Sequence, residues 1–483
     1  MEDQSSGDGR ARKILLILFL LTLPLVNPWV RGDGVGYYAY ARSLLIDGDL
    51  HFENEYLAGN TTFVRPKVDE NGRLLPGSFT ATGYVGNNFS VGPAILWAPF
   101  LLVTHGTVKL LNAFGLDTPA DGYSRPYVWT IAVATALYGF LGLLLSFRLA
   151  RQYFDERWAF LATVGIWFGS SLPVYMYFNP SWSHAHSAFA VALFLWYWHR
   201  TRGPRSALQW ILLGLLAGLM MNVYYPNALV MLVPLVESLR SYLHRWRDDS
   251  HRWAAMGRLF VGNLFFLVTA AIAFLPTLVT RWIIYGHPLQ TGYRQMSEWN
   301  WTHPELWNVL FSSNHGLLSW TPILLLSLAG LIRFRRFDGE LALSLGLTFL
   351  AFYYVISSHL YWHGIGSFGS RFFVSLTPLF VLGLAAALEP LQRFAPQRGF
   401  ALAGGVLGLF ILWNAGLIFQ WGTHLIPPRG PISWRQAARN QVTVVPVKVW
   451  GGLRGYLLSR RAMMEQIEKE DARKLYSDPA VSR

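Results

Sequence analysis

Apolar segments of about 20 residues recur along the whole chain, separated by short polar stretches. A helix of this length crosses a bilayer, and a helix satisfies its own backbone hydrogen bonds in hydrocarbon. The segments lack the alternation of β-barrel strands. The pattern therefore predicts an all-α polytopic membrane protein. Its eleven predicted transmembrane helices lie near 13–30, 127–149, 158–178, 184–199, 206–223, 225–240, 258–285, 315–333, 340–357, 371–389 and 400–420.

Positive charge is concentrated in six of the short polar stretches, and all six fall on one side of this arrangement. They are Arg10/Arg12/Lys13, Arg148/Arg151/Arg157, Arg200/Arg202/Arg205, Arg240/Arg245/Arg247/Arg252, Arg333/Arg335/Arg336 and Arg393/Arg398. Loops rich in Lys and Arg stay in the cytoplasm. The pattern predicts a multi-pass protein of a bacterial inner membrane, with residues 1–12 cytoplasmic and the aromatic loops extracytoplasmic.

One apolar run, at 90–115, does not fit this alternation. It is long enough to span, but a span here would place every later basic loop outside. The run contains His105 and Lys109, and Pro93 and Pro99 interrupt its first half. We interpret it as a helix on the outer surface or a re-entrant helix, with a spanning helix as the alternative.

Two polar regions flank the membrane domain of residues 13–420. Residues 31–126 form the first extracytoplasmic loop, and 421–483 form a polar C-terminal tail with a predicted amphipathic helix at 453–475. The chain is 53% hydrophobic, with a net charge of +13 and no cysteine. Because the basic residues follow the membrane topology and no nucleic-acid module is present, membrane lipids are expected partners and nucleic acid is not. The absence of cysteine excludes disulfides and thiolate chemistry.

Asp33 opens the first outer segment, in "RGDGVGYYAYARSLLIDGD" at 31–49. A helix is predicted from Gly34, with Tyr37 on an apolar face suited to lie on the bilayer. Asp33 then has two compatible interpretations. It caps this helix, or its carboxylate takes a proton from an acceptor hydroxyl.

A second acidic group, "DGD" at 47–49, has the form of a divalent-metal site but also of a turn, and we favour the turn. Glu53 and Glu55 are expected to be solvated.

Basic and aromatic residues at the mouths of other spans supply candidate ligands for a phosphate. They are His184, Tyr293, Arg294, Arg371 and Lys109. A guanidinium matches phosphate geometry, and a helix N-terminus adds a favourable dipole. The alternatives are a snorkelling Arg371, a headgroup contact for Lys109 and an interfacial role for His184. His184 and His186 are offset by two residues, so a shared metal is not expected.

Several segments in order resemble the GT-C superfamily of integral membrane glycosyltransferases, which includes protein O-mannosyltransferases and the lipid A aminoarabinose transferase. They are "GDGVGYYAYARSLL", "SVGPAILWAPF", "LARQYFDERWAFLATVGI", "YGHPLQTGY", "FSSNHGLLSWTP" and "SFGSRFFVSLTPLFVLGLA". The resemblance extends to about residue 420 and implies a GT-C-type fold with amphipathic helices in its first outer loop.

The resemblance also implies a function. Such enzymes take a sugar from a polyprenyl-phosphate donor and transfer it to a lipid or glycan acceptor on the extracytoplasmic face. Asp33 takes the place of the base, while Arg371, Arg294 and Lys109 are candidates for the phosphate. Position 34 is Gly where many relatives have a second acid, so no metal or other cofactor is expected. Direct displacement implies inversion of the sugar.

Two other classes of function remain. A transporter or flippase of a lipid-linked substrate would carry charges at mid-membrane and inverted repeats, and the sequence shows no such repeats. A non-catalytic membrane scaffold would have no reason to place an acid and an arginine at the mouths of spans.

Overall fold

A computed structural model describes residues 4–59, 68–248, 252–290, 292 and 298–476 of the chain. Within these residues the chain forms twenty α-helices. They are α1 Gln4–Thr22, α2 Asp33–Arg42, α3 Glu53–Ala58, α4 Gly92–Ala113, α5 Arg125–Ala150, α6 Glu156–Gly169, α7 His184–Arg200, α8 Ala207–Val223, α9 Leu232–Asp248, α10 Arg252–Tyr285, α11 Leu306–Phe311, α12 Leu317–Trp320, α13 Ile323–Phe334, α14 Gly339–Ser358, α15 Thr377–Leu388, α16 Leu391–Phe394, α17 Gly399–Gly422, α18 Trp434–Thr443, α19 Val445–Leu458 and α20 Arg460–Tyr476.

Every predicted span coincides with helical structure. Five of them are irregular. A 3-10 turn follows α1 at Leu23–Leu25, a π-helix follows α6 at Val174–Phe178, 3-10 turns precede α9 and α15 at Tyr225–Met231 and Arg371–Leu376, and the span at 315–333 is divided into α12 and α13. In the described part of the chain, six helical segments are long and apolar enough to cross a membrane: Gly92–Ala113, Arg125–Ala150, Arg252–Tyr285, Gly339–Ser358, Arg371–Phe394 and Gly399–Gly422. The all-α membrane fold is thus confirmed, while the count of eleven stays a prediction.

Local sequence fixes the ends of several helices. Ser206 and Gln209 form a reciprocal capping box at the start of α8. Asp338 accepts a hydrogen bond from the backbone N–H of Leu341 and so caps α14. Both caps lie in polar loops between apolar runs, which is why the predicted boundaries of these helices agree with the structure within a residue or two.

The two ends of the bundle bring together the loops that the charge pattern had sorted. At the basic end, Arg202 pairs with Asp338, and Arg333 pairs with Glu389 at 2.6 Å. At the other end, Arg371 pairs with Asp33 across 338 positions of sequence. Loops that the charge pattern assigns to the same side of the membrane therefore contact each other in the structure. Which end of the bundle faces the cytoplasm stays a prediction.

Helix α4 is the run that did not fit the alternation. It is one continuous helix despite Pro99. It packs antiparallel to the first half of α5, because the Trp97 indole donates to Thr135 (2.9 Å) and His105 bonds the Tyr127 hydroxyl (2.7 Å). Its contacts thus run from mid-α5 towards the outer end of α5. Because α4 is also long and apolar enough to cross a membrane, its path through the membrane stays a prediction.

Helix α2 differs from the expectation of a helix lying on the bilayer. All of its residues from Gly34 to Arg42 are buried. Tyr37 packs on Phe89 and Tyr40 packs on Phe52, with ring centroids 4.9 and 5.0 Å apart. The outer loop folds back over the helix, so the apolar face meets protein on every side.

The acidic residues after α2 form a structural cluster around buried Arg42. Its guanidinium contacts Asp47 at 2.5 Å and Glu55 at 2.7 Å, and Gly48 adopts a positive φ of 76° in the turn between 47 and 49. The favoured turn at 47–49 is therefore present. The expectation for Glu55 was wrong: its side chain is 2% exposed, and burial raises its pKa to about 7 although Arg42 opposes the shift.

The tail also differs from its prediction. One amphipathic helix was expected at 453–475, but two helices, α19 and α20, meet at Ser459. The bend is held by contacts beyond the tail itself. Tyr456 donates to the carbonyl of Leu25 (2.9 Å) and Arg460 to that of Val26 (2.6 Å). Periodicity alone does not report such a docking contact.

The start of α2 depends on a glycine. A Cβ at Gly34 would lie 2.0 Å from Ser181 Oγ and 2.5 Å from its Cβ. We expect Gly34→Ala to destabilise the protein by about 1–3 kcal/mol, the usual cost of overpacking, measured by thermal unfolding in detergent. Ser181→Gly should rescue it. Gly77→Ala is the matched control, because its Cβ would meet nothing within 4 Å. Equal midpoints for Gly34→Ala and Gly77→Ala would contradict the packing.

Candidate functional site

An ion pair between Asp33 and Arg371 forms the centre of the site. Arg371 Nη1 donates to Asp33 Oδ2 at 2.6 Å. The Arg371 side chain is 11% exposed and that of Asp33 is 30% exposed. The guanidinium is thus largely enclosed, while the carboxylate keeps an accessible side.

Asp33 does not cap α2. Gly32 occupies the cap position with a φ of 54°, and Asp33 is the first residue of the helix. Its carboxylate therefore points away from the helix backbone towards Arg371. A negative charge in the first turn also gains from the helix dipole.

Trp182 joins the two sides of the pair. The Arg371 guanidinium lies over its ring, 4.5 Å from the centroid, and its indole N–H donates to the carbonyl of Arg31 at 3.1 Å. This indole was not among the sequence candidates. A tryptophan in a loop between two spans resembles an ordinary interfacial anchor, and only the fold places it beneath a cation.

Tyr37 lies on the next turn of α2, beside the pair. Its hydroxyl accepts a hydrogen bond from Ser183 at 2.9 Å. Burial, and then the charge of Asp33, raise the pKa of Tyr37. The phenol therefore stays protonated at neutral pH and keeps a proton to donate.

Three buried polar atoms near Arg371 have no hydrogen-bond partner within the described structure. They are Arg371 Nε, Ser370 Oγ and His184 Nδ1. His184 stacks edge-on to Tyr175, with centroids 4.7 Å apart, and Arg371 is close enough to act on it electrostatically. Buried donors and acceptors are rarely left unpaired unless a ligand or water completes them. This part of the site has unused capacity for a polar ligand.

His186, two residues on, belongs to a different environment. Its ring meets Trp97 edge-on at 5.0 Å, and its Nε2 is 3.4 Å from the Thr135 hydroxyl. The two-residue spacing therefore directs His184 and His186 to different neighbours, as the sequence predicted.

Two histidines of the loop before Arg371 remain neutral in the folded protein. Burial lowers the pKa of His359 to about 4. Burial and the nearby charge of Arg371 also lower the pKa of His363. The positive charge of this loop is therefore carried by Arg371 at neutral pH.

Of the three remaining sequence candidates, only Lys109 lies within the described residues. Lys109 is exposed on α4, beyond His105. Tyr293 and Arg294 lie outside the described residues.

The sequence candidates did not include Arg281, which is 2% exposed near the C-terminal end of α10. Its guanidinium donates to the backbone carbonyls of residues 87–89. A charge inside an apolar run was the available signal.

The residues at the pair do not fit a divalent metal. The carboxylate of the pair, Asp33, is held by a guanidinium. A second acid at position 34 is prevented by the contact of Gly34 with Ser181. Among the described residues no group of three or more His, Asp or Glu side chains could hold an ion, whereas Mg²⁺ and Ca²⁺ prefer several oxygen ligands.

A cavity of about 250 Å³ adjoins the pair. Arg31 and Gly366, close in sequence to Asp33 and Arg371 respectively, contribute to its lining. Neither Asp33 nor Arg371 lines it. The ion pair and this cavity therefore lie on neighbouring chain segments but are not one pocket.

Comparisons with known proteins agree with this fold. The family described as dolichyl-phosphate-mannose-protein mannosyltransferase matches residues 127–279. The crystal structure of the Archaeoglobus fulgidus oligosaccharyltransferase in complex with zinc and sulfate is similar at a TM-score of 0.50 and 14% identity, covering 86% of this chain and 55% of that one. No curated protein matches the chain in sequence.

Two further structures are similar at lower scores. The archaeal oligosaccharyltransferase AglB from Archaeoglobus fulgidus, with an inhibitory peptide and a dolichol-phosphate, has a TM-score of 0.47 at 14% identity, over 86% of this chain and 58% of that one. ArnT from Cupriavidus metallidurans bound to undecaprenyl phosphate has 0.44 at 16%, over 86% and 71%. The chain thus spans little more than half the length of the archaeal enzymes.

The helical membrane fold agrees with the match of residues 127–279 to the mannosyltransferase family. They support a GT-C superfamily membrane glycosyltransferase. Within that class, the matched segment lies in the central spans, from α5 to α10.

Removing Asp33 should destabilise the fold, because it leaves the Arg371 guanidinium enclosed without its carboxylate. We expect Asp33→Ala to cost about 2–3 kcal/mol, less than for a fully buried pair because Asp33 keeps contact with solvent. Thermal unfolding in detergent measures it. The double variant Asp33→Ala/Arg371→Met should recover most of the loss, and additive losses would contradict a direct pairing.

The neutral histidines give the stability a pH dependence. An unfolded histidine takes up a proton below about pH 6.5, whereas folded His359 resists protonation until about pH 4. The unfolded state therefore binds more protons in this window, and stability should fall as pH drops from 6.5 towards 4. His359→Asn should flatten the profile of unfolding temperature against pH. Exposed His303→Gln is the control, and an unchanged slope in His359→Asn would contradict the assignment.

Proposed function

We propose that this protein transfers a sugar from a polyprenyl-phosphate-linked donor to an acceptor hydroxyl on the extracytoplasmic face, with inversion at the anomeric carbon. The observation that carries the proposal is the Asp33–Arg371 pair at a span mouth. The match to the dolichyl-phosphate-mannose-protein mannosyltransferase family supports a lipid-phosphate sugar as the donor.

Arg371 is the proposed ligand for the donor phosphate. Its Nη1 is engaged by Asp33, but its Nε has no partner. A phosphate on that side would gain a charge-assisted hydrogen bond without breaking the existing pair. Ser370 Oγ and His184 Nδ1, which are also unpartnered, are candidates for further phosphate contacts. No described contact of Lys109 supports the same role, and Tyr293 and Arg294 lie outside the described residues, so their role stays a prediction.

Asp33 is the proposed group for the acceptor. The acceptor hydroxyl donates to its accessible carboxylate, which orients the oxygen for attack. As the new bond between that oxygen and the anomeric carbon forms, the bond from this carbon to the phosphate oxygen breaks. The hydroxyl proton passes to Asp33, and the polyprenyl phosphate leaves as an anion on Arg371. One displacement at the anomeric carbon inverts it.

Charge development explains the arrangement of the two groups. In the transition state the sugar gains positive charge and the departing phosphate gains negative charge. A carboxylate near the sugar and a guanidinium near the phosphate oppose both changes, and fixed charges do so without reorganisation. Tyr37, which remains protonated beside Asp33, is placed to donate to the sugar or the acceptor. The donor set argues for chemistry without a metal, and we place the protein in a bacterial inner membrane with its N-terminus cytoplasmic.

Conservative substitutions at the pair test the mechanism. We expect Asp33→Asn to lower kcat by about 10²–10⁴-fold, the range for loss of a general base, because an amide cannot accept the proton. Arg371→Lys should chiefly raise KM for the donor, since an ammonium lacks the guanidinium geometry. Both are measured as sugar transfer in membranes from a radiolabelled lipid-phosphate sugar.

The matched control is Glu389→Gln. Glu389 pairs with Arg333 at 2.6 Å at the opposite end of the bundle, with both side chains partly exposed. Its variant should transfer sugar at the wild-type rate. Wild-type turnover by Asp33→Asn and Arg371→Lys, at normal expression, would remove both assignments.

A further inference from the structure

A second cavity lies at the basic end of the helical bundle, where Arg202 meets Asp338. Its volume is about 130 Å³, and its walls come from the turn before α8 and from α8, α9 and α10. The charged and hydroxyl side chains that line it are Arg205, Glu237, Ser238, Ser241 and Arg245. None of these residues takes part in the proposed transfer of sugar.

The carboxylate in this cavity is already neutralised. Glu237 Oε2 accepts hydrogen bonds from Arg205 Nη1 at 2.9 Å and from the Trp198 indole at 2.7 Å. The Arg205 side chain is only 1% exposed, and its other nitrogens donate to the Thr201 hydroxyl and to the Trp198 carbonyl. This pair holds the turn before α8 against α9 and leaves no net charge for a ligand.

Arg245 supplies the surplus positive charge of the cavity. It is partly exposed in the last turn of α9, and within the part of the chain that the structure describes no carboxylate pairs with it. Ser241 lies one turn earlier and also lines the cavity, and its hydroxyl has no hydrogen bond to another described residue. A guanidinium and a hydroxyl on one face of a helix can bind the oxygens of a phosphate together.

An exposed apolar stripe runs along α9 beside the cavity. Leu235, Leu239, Leu243 and Trp246 are 50%, 54%, 59% and 48% exposed, and their spacing of three or four residues places them on one face of the helix. In a membrane protein such a face meets acyl chains. Leu235 lies three residues before Ser238, so the stripe borders the lining of the cavity. The same helix therefore presents an acyl-chain surface and a phosphate-binding surface side by side.

Aromatic rings mark the level of this cavity relative to the membrane. Trp246 meets Trp253 edge-on, with ring centroids 5.6 Å apart, and the Arg252 guanidinium lies over Trp246, 5.1 Å from its centroid. Tryptophans at the ends of membrane helices are concentrated at the level of the lipid headgroups. Trp246 directly follows Arg245 in the sequence, so the surplus cation lies at the level of the lipid phosphates.

We propose that the cavity between α8, α9 and α10 binds the phosphate of an anionic phospholipid at Arg245 and Ser241, with the acyl chains along the apolar stripe of α9. This lipid is not a substrate, because its site lies at the opposite end of the bundle from Asp33 and Arg371. Basic pockets between membrane helices hold lipid headgroups in this way. A zwitterionic lipid would bring its own cation towards Arg245, so a headgroup such as that of phosphatidylglycerol matches the site.

Retention of lipid by the full-length protein tests the site without any transfer assay. The protein is reconstituted in bilayers that contain equal amounts of phosphatidylglycerol and phosphatidylcholine, extracted in a mild detergent and weighed by native mass spectrometry. We expect phosphatidylglycerol to remain bound in preference to phosphatidylcholine. Equal retention of the two lipids would overturn the proposal.

A matched pair of arginine variants locates the headgroup. Arg245→Gln should lower the retained phosphatidylglycerol about fivefold, the factor that corresponds to one cation near a membrane surface. Arg247→Gln is the control, because Arg247 is exposed on the same turn of α9 but does not line the cavity. Its variant should retain the lipid as the wild-type protein does. Equal losses in the two variants would indicate a general attraction to basic residues and would contradict a site at Arg245.

A second pair tests the cavity itself. Ser241→Phe fills the space and should abolish the preferential retention, whereas Leu243→Phe, on the 59% exposed face of the same helix, should leave it unchanged. The unfolding midpoint in phosphatidylcholine shows whether each variant is folded. Full retention by folded Ser241→Phe would rule out the cavity as the site. If this variant does not fold, the comparison of the two arginine variants still decides.

Thermal unfolding separates a lipid from a soluble anion. Phosphatidylglycerol added to the delipidated protein in detergent should raise the unfolding midpoint, and Arg245→Gln should lose this rise. Inorganic phosphate in excess should leave the midpoint unchanged, because it has no acyl chains to cover the stripe. An equal rise with inorganic phosphate alone would assign the cavity to a soluble anion and overturn the lipid. None of these results depends on sugar transfer, so a failure here is distinguishable from a failure of the proposed function.

Discussion

The ion pair between Asp33 and Arg371 is the interaction on which the rest of the site depends. It joins the first outer segment to a helix that begins 338 residues later. A guanidinium this enclosed needs a carboxylate, and the carboxylate is held in place by the start of α2. Trp182 lies beneath the cation and binds the chain just before Asp33. The same contact therefore closes the outer end of the fold and sets the position of the two charges proposed to act on substrate.

Three buried arginines show how a functional cation differs from a structural one here. Arg42 meets two carboxylates, Asp47 and Glu55, and Arg281 is surrounded by backbone carbonyls and the Tyr225 hydroxyl. Both sets of contacts hold the outer loop against the helices. Arg371 has one carboxylate and keeps its Nε without a partner, near other unpartnered polar atoms. This unused hydrogen-bonding capacity beside Asp33 is the reason for proposing Arg371 as the phosphate ligand.

The C-terminal tail changes the picture of the outer face. Its composition suggests a polar extension after the last span. Its helices nevertheless pack on α17 and contact the backbone at Leu25, in the segment between α1 and Asp33. Its side chains complete a mainly apolar hollow next to a charged pair.

The sequence by itself determined the elements that depend on one-dimensional properties. Runs of apolar residues predicted the helices, and the positively charged loops predicted which helix ends lie on the same side. Both properties can be read from a single segment, because they do not depend on which other segments pack against it. Asp33 and Arg371 could be selected because each stands at the mouth of a span. Only the tertiary structure decided which polar groups meet: it enclosed α2, buried Glu55 beside Arg42, placed Trp182 under the cation and packed the tail against α17. These outcomes depend on contacts between distant segments, and neither periodicity nor composition encodes which distant segment will be the neighbour.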